Sequence, residues 1–173
     1  MRTTFLVTII AIILLGGCKK SAGPTNFSFY SAGAINNNYY APVLVEGNAS
    51  FQYQNTIAPP YIQLTMTGPG NQTAAISWYN IDSLAAEGQL TPGTYSIPAH
   101  TNYPPTVSAV YNAPYGAATY LNGAGTGGTV TITKNTGHGG VMSGSFSFTA
   151  LNQSFPYDTV YITQGNFSNV PLP

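Results

Sequence analysis

Hydrophobic and polar residues alternate with a period of two along most of this chain. The segment from Gly128 to Ala150 shows it most cleanly. Val130 and Ile132 alternate with Thr129, Thr131 and Thr133, and Phe146, Phe148 and Ala150 alternate with Ser145, Ser147 and Thr149. Between them lies Asn-Thr-Gly-His-Gly-Gly, which is turn material. β-Branched and aromatic residues in this period, broken by Gly and Asn, predict a β-hairpin with one dry and one wet face.

The same logic predicts further strands on either side. Phe27, Phe29 and Ser31 fall on one face of a strand that ends at the turn Asn36-Asn37-Asn38. Val43 and Val45 share a face in the next, where Pro42 marks an edge or a strand start. Gly47-Asn48 reads as a turn into a strand around Phe51 and Tyr53. Ile62, Leu64 and Met66 are in phase, as are Ile76 and Trp78. The interval Asp82–Leu90 is helix-like but short, and reads as a connecting turn. Short strands follow around Tyr95, Thr106–Asn112 and Tyr120. In the last strand Val160 and Ile162 are in phase but Phe167 has the opposite parity, so Gln164-Gly165 is predicted to be a bulge. The result is an all-β, antiparallel sandwich or flattened barrel of about nine or ten short strands. Closure is favoured because few charges are present to blunt an open edge.

The first residues break the pattern. Met1–Cys18 has one Arg, an apolar run from Phe5 to Leu15, two glycines and the only cysteine. Eleven helical residues span about 16 Å, too short for a bilayer core of about 30 Å. The segment is therefore a secretory signal. Leu15-Gly16-Gly17-Cys18 resembles the bacterial lipobox, which implies a diacylglycerol on the Cys18 sulfur, an N-terminal acyl chain such as palmitate, and stable membrane anchoring. The expected organisation is a signal peptide over 1–17, a lipidated tether over 18–25 and one β domain over 26–173. The tether lacks the acidic run that resembles a surface-export signal, which favours the periplasmic face of the outer membrane over the cell surface.

Charged residues make up only 5% of the chain, against about 25% in an average soluble domain. Beyond Cys18 the only cations are Lys19, Lys20 and Lys134. That argues against nucleic acid as a partner, since a phosphate backbone needs clustered Lys and Arg. One cysteine excludes an intrachain disulfide.

The runs GTVTITK, SGSFSFTA and VYITQGNFS, with TPGTYSIP before them, resemble the C-terminal half of a family of small Gram-negative lipoproteins of unknown function. The likeness covers roughly residues 91–170. It implies a β fold and an envelope address, and carries no catalytic residue.

No catalytic residue and no cofactor or metal site is expected. Gly123–Gly128 contains G-x-G-x-x-G, but a strand follows it where a dinucleotide site needs a helix. His100 and His138 lack the paired spacing of a zinc site. Ser143, His138 and Asp158 make a triad on paper only, with no nucleophile elbow. The 13 tyrosines are more suggestive. Aromatic faces near Asn and Gln suit neutral sugars, and Tyr103, Tyr111, Tyr115 and Tyr120, on or beside Pro-rich loops, are the candidate ligand-binding residues. Ser83 and Thr159, each after Asp and before an aliphatic residue, resemble an O-glycosylation tripeptide of some Gram-negative bacteria. The leading expectation is a non-catalytic structural or interaction module of the cell envelope, with an envelope protein among its possible partners. The second is a binder of a neutral glycan or small apolar ligand through Tyr-rich loops or a barrel mouth.

Overall fold

The computed structural model describes residues 26–35, 37–54, 56, 60–79, 90–99, 107–122, 126–152 and 157–173. Cys18 and its tether, the Asp82–Leu90 interval up to residue 89, Ser83, His100 and Tyr103 lie outside them. Ten strands run in chain order: β1 Asn26–Ile35, β2 Asn38–Gln54, β3 Tyr61–Thr67, β4 Thr73–Tyr79, β5 Gly93–Ile97, β6 Val107–Asn112, β7 Thr119–Leu121, β8 Gly128–Asn135, β9 Val141–Leu151 and β10 Thr159–Pro171.

All pairings are antiparallel, and they form one sheet in the order β10-β1-β2-β3-β4-β6-β7-β9-β8-β5. An additional β9–β10 pairing closes eight of these strands into a ring, and β8 and β5 extend the sheet from β9 with Val130, Ile132 and Ile97 buried in the same core. The fold is thus a flattened barrel. The β8–β9 hairpin is in the predicted place, with Val130 opposite Phe146. The predicted bulge is present too: Gln164 has φ 52° and the β10–β9 register shifts between Ile162 and Gly165.

Period-two patterning decides what lies inside. Phe27, Phe29, Ile62, Leu64, Met66, Ile76, Trp78, Val130, Ile132, Phe146, Phe148, Val160 and Ile162 are all buried. Rings from strands that are not neighbours meet in the interior. Phe29 lies edge-on to Tyr111 at 6.3 Å and to Phe146 at 6.1 Å, and Phe51 to Phe167 at 6.4 Å. The bore is filled by side chains, as in small barrels generally.

One strand reading differs. Gly47-Asn48 is no turn, because β2 continues straight through it for 17 residues. There β2 changes partner: Asn48 pairs with Asn26 of β1 and with Thr67 of β3. A Cβ at Gly47 would collide with the Thr67 carbonyl, so this glycine marks close backbone approach. Val43 shares a face with buried Val45 but is 50% exposed. Residues 38–47 pair only with β1, which is itself paired with β10, so this half of β2 leaves its other edge free and forms, with the hairpin tip, an arm at one end of the ring.

Candidate functional site

One end of the barrel is framed by this arm and by two tight turns. Both turns begin with proline: Pro69-Gly70-Asn71-Gln72 and Pro114-Tyr115-Gly116-Ala117. In each, the last residue's N–H donates to the proline carbonyl, at 3.4 Å and 3.2 Å. In each, both central residues have positive φ: 67° and 59° in the first, 58° and 69° in the second. This is the type I′ pattern, which favours Asn, Asp or Gly at both centres. Tyr115 is therefore out of place. A bulky residue in left-handed backbone stores about 1 kcal/mol or more and points to a use for its side chain. The two tips touch: a Cβ on Gly70 would lie 3.1 Å from Tyr115 Cζ.

Between the arm and the turns is a hollow of about 590 Å³. Tyr115 and Tyr39, 90% and 89% exposed, stand at its rim. Ile35, Val43 and the two prolines supply apolar wall. Ser31, Tyr40, Gln72 and Tyr111 supply its polar groups. Tyr111 Oη donates to Gln72 Oε1 at 3.2 Å. The Tyr40 hydroxyl is buried near those of Ser31 and Tyr111, yet makes no well-formed hydrogen bond with either. An orphaned buried hydroxyl costs about 1–3 kcal/mol.

Burial raises the pKa of Tyr111 well above the ordinary tyrosine range, against a lowering hydrogen bond from Ser31. Burial likewise raises Tyr40, with Ser31 and Tyr111 pulling it back. Both phenols stay protonated at neutral pH. Among the described residues, none of the eleven that line it is Asp, Glu, Lys, Arg or His. The hollow can stack on a ligand and exchange hydrogen bonds with it. It presents no base beside the Ser31 hydroxyl.

A second hollow, of about 530 Å³, lies against the same arm and also borders Tyr39 and Tyr40. Its other side is the start of β10, with Tyr157, Asp158, Thr159 and Tyr161. Asp158 is buried, and its carboxylate accepts the Asn37 N–H at 3.1 and 3.3 Å. That bond ties the arm's turn to the β10 wall. A third depression, around Glu46 and Asn166 where the start of β1 lies beside the middle of β2, has no exposed aromatic face among the described residues.

Of the tyrosines singled out from sequence, Tyr111 and Tyr115 meet at the first hollow. Tyr120 instead fills the core, where its hydroxyl donates to the Ala34 carbonyl at 3.0 Å. Thr159 is half-buried at the second hollow. Tyr39 and Tyr40 were not among the candidates, although two adjacent tyrosines on a strand must face opposite ways. Ser143 and Asp158 are not brought together. Ser143 accepts Asn169 N–H near the start of β9, while Asp158 O accepts Asn152 N–H just past its end, about 25–30 Å away along the strand. Gly128 opens strand β8, so no helix follows the glycine-rich loop. Among the described residues no group of three His, Cys, Asp or Glu converges as for a metal ion.

A protein-family model, the domain of unknown function DUF6252, matches residues 80–171, just over half of the chain. The chain belongs to the DUF6252 family. The match takes in β5 to β10 and agrees with the resemblance to an uncharacterised family over residues 91–170. Within this DUF6252 protein it includes Tyr111, the Tyr115 turn and the β10 wall, and leaves out the arm with Tyr39 and Tyr40. No curated protein and no solved structure matches the chain.

Proposed function

We propose that this protein is a lipid-anchored, non-catalytic interaction module of the bacterial cell envelope, and that it binds a neutral, hydroxyl-bearing ligand at the barrel mouth. The anchor rests on the sequence around Cys18. The binding role rests on one observation above all: a hollow with no charged residue among its described lining, rimmed by two exposed tyrosines, that contains a buried tyrosine hydroxyl without a well-formed hydrogen bond. Apolar walls with a few convergent polar groups are the usual make-up of a small-molecule site. Tyrosine supplies both a ring face for stacking and a hydroxyl for hydrogen bonding.

The test is a neutral-glycan array followed by calorimetry on the protein lacking residues 1–18. Binding that weakens at least tenfold in Tyr115→Ala and in Tyr40→Phe supports the reading. Absence of any neutral ligand at millimolar concentration, or binding indifferent to both substitutions, overturns it. Mass spectrometry of the protein from its native host tests the anchor separately, through the lipid mass on Cys18.

A further inference from the structure

The two hollows beside the arm share Tyr39 and Tyr40. Tyr39 is 89% exposed although it sits within a strand of a closed sheet. On one side of it stands Tyr115 on its strained turn. On the other stand Tyr161, 51% exposed on β10, and Tyr157, 69% exposed just before it. Exposed aromatic rings thus follow one another from the Pro114 turn, over the arm, to the start of β10. Large exposed apolar side chains elsewhere among the described residues are confined to Val43 and Leu44 of the same arm. Such clustering on one surface marks an interaction site.

Resting on the mouth-binding reading, we propose that the two hollows are successive subsites for one linear neutral oligosaccharide, with the Tyr39 ring as the platform between them. The occupant has to be uncharged. Among the described residues the first hollow has no group charged at neutral pH, and the one carboxylate of the second is buried and already accepts Asn37 N–H. The occupant also has to offer hydrogen-bonding groups, which the hydroxyls of a sugar supply, because the buried Tyr40 hydroxyl makes no well-formed hydrogen bond within the fold. A peptide added as a strand would need the free edge of β2, and Pro42 interrupts that edge with no N–H to offer.

The experiment is a calorimetric titration with neutral glucans, mannans and xylans graded from disaccharide to hexasaccharide. An uncharged proline-rich peptide of similar length serves as the competing probe. Affinity should rise at least tenfold between the disaccharide and the longest oligomers of whichever series binds. Tyr161→Ala should remove that gain, since its side chain stands at the second hollow on the outer face of β10. Tyr39→Ala should weaken both. Disaccharide binding that depends on Tyr40 and Tyr115 but does not grow with length would overturn the two-subsite proposal and leave the mouth reading intact. Binding of the peptide and of no sugar, or of no probe at all, would overturn both.

Discussion

Phe146 on β9 faces Gly165 on β10, and its ring fills the space that a side chain on that glycine would need: a Cβ there would lie 2.5 Å from the ring. The relationship recurs at Gly144, where a Cβ would lie 2.6 Å from the Phe167 ring; Phe148 opposite Gly128 and Phe27 opposite Gly47 repeat the pairing, with the Ser147 and Thr67 carbonyls as the nearest obstacles there. A narrow bore holds large rings only if the neighbouring strand offers nothing opposite them. Gly165 has an ordinary negative φ, so its role is steric. Gly165→Ala should therefore destabilise by about 1–3 kcal/mol through overpacking. Adding Phe146→Leu should recover about 1 kcal/mol of that loss in a double-mutant cycle read by urea unfolding. Strict additivity would contradict the pairing.

Asn122 closes a seam that the strands leave open. β7 is only three residues long, and it meets β9 through one residue pair. Just past it, Asn122 Oδ1 accepts Ala109 N–H at 2.9 Å, its own N–H donates to Ala109 O at 3.1 Å, and Nδ2 donates to Pro98 O at 3.0 Å. One buried side chain thus acts as a strand between β6 and the end of β5. Asn122→Ala orphans the buried Ala109 N–H and should cost about 1–3 kcal/mol. At roughly 2–4 °C per kcal/mol for a domain of this size, the melting temperature should fall measurably. An unchanged melting temperature would mean the seam is held by other contacts.

What was legible in the sequence was what period two controls. The phase of Phe27, Phe29 and Ser31, of Ile62, Leu64 and Met66, and the parity break before Phe167 each specify a strand face locally, and each is realised. Partner choice was not legible. β4 skips β5 to pair with β6, and β5 pairs with β8, because those pairings depend on loops and on the whole ring. Glycine was ambiguous for the same reason: at Gly47 it permits close approach, at Gly70 a left-handed turn, and composition cannot separate the two. The site was half legible. Tyr115 beside Pro114 pointed to a loop. The part played by Tyr40 depends on an arm at one end of the ring, and strand phase does not reveal that.

Alkaline unfolding follows from the buried phenols. Tyr120 is pushed up to about 12, first by burial and then by the nearby charge of Asp158, and Tyr111 is raised mainly by burial. In the unfolded chain both ionise near pH 10. The unfolded state therefore loses protons first. Stability should be intact below about pH 10 and should fall as pH rises towards about 12. Phenolate absorbance should show a cooperative step that coincides with loss of structure, and Tyr120→Phe should flatten the pH dependence of stability. Smooth titration of every tyrosine near pH 10 in the folded protein would refute the assignment.

Tyr115 should behave as a residue kept against its backbone preference. Tyr115→Asn places a favoured residue in the first central position of the turn. It should raise stability by roughly 1 kcal/mol while it removes one rim of the hollow. A fall in stability would show that the ring's contact with Gly70 outweighs the strain.

Thermal unfolding of Tyr40→Phe tests the central claim most directly, because it needs no ligand. If the hydroxyl is held unpaired for an incoming partner, its removal relieves a buried desolvation penalty, and the free protein should melt at the same temperature or higher. A drop equivalent to about 1 kcal/mol or more would show that the hydroxyl is already satisfied within the fold, and the reading of the barrel mouth as a binding site would lose its main support.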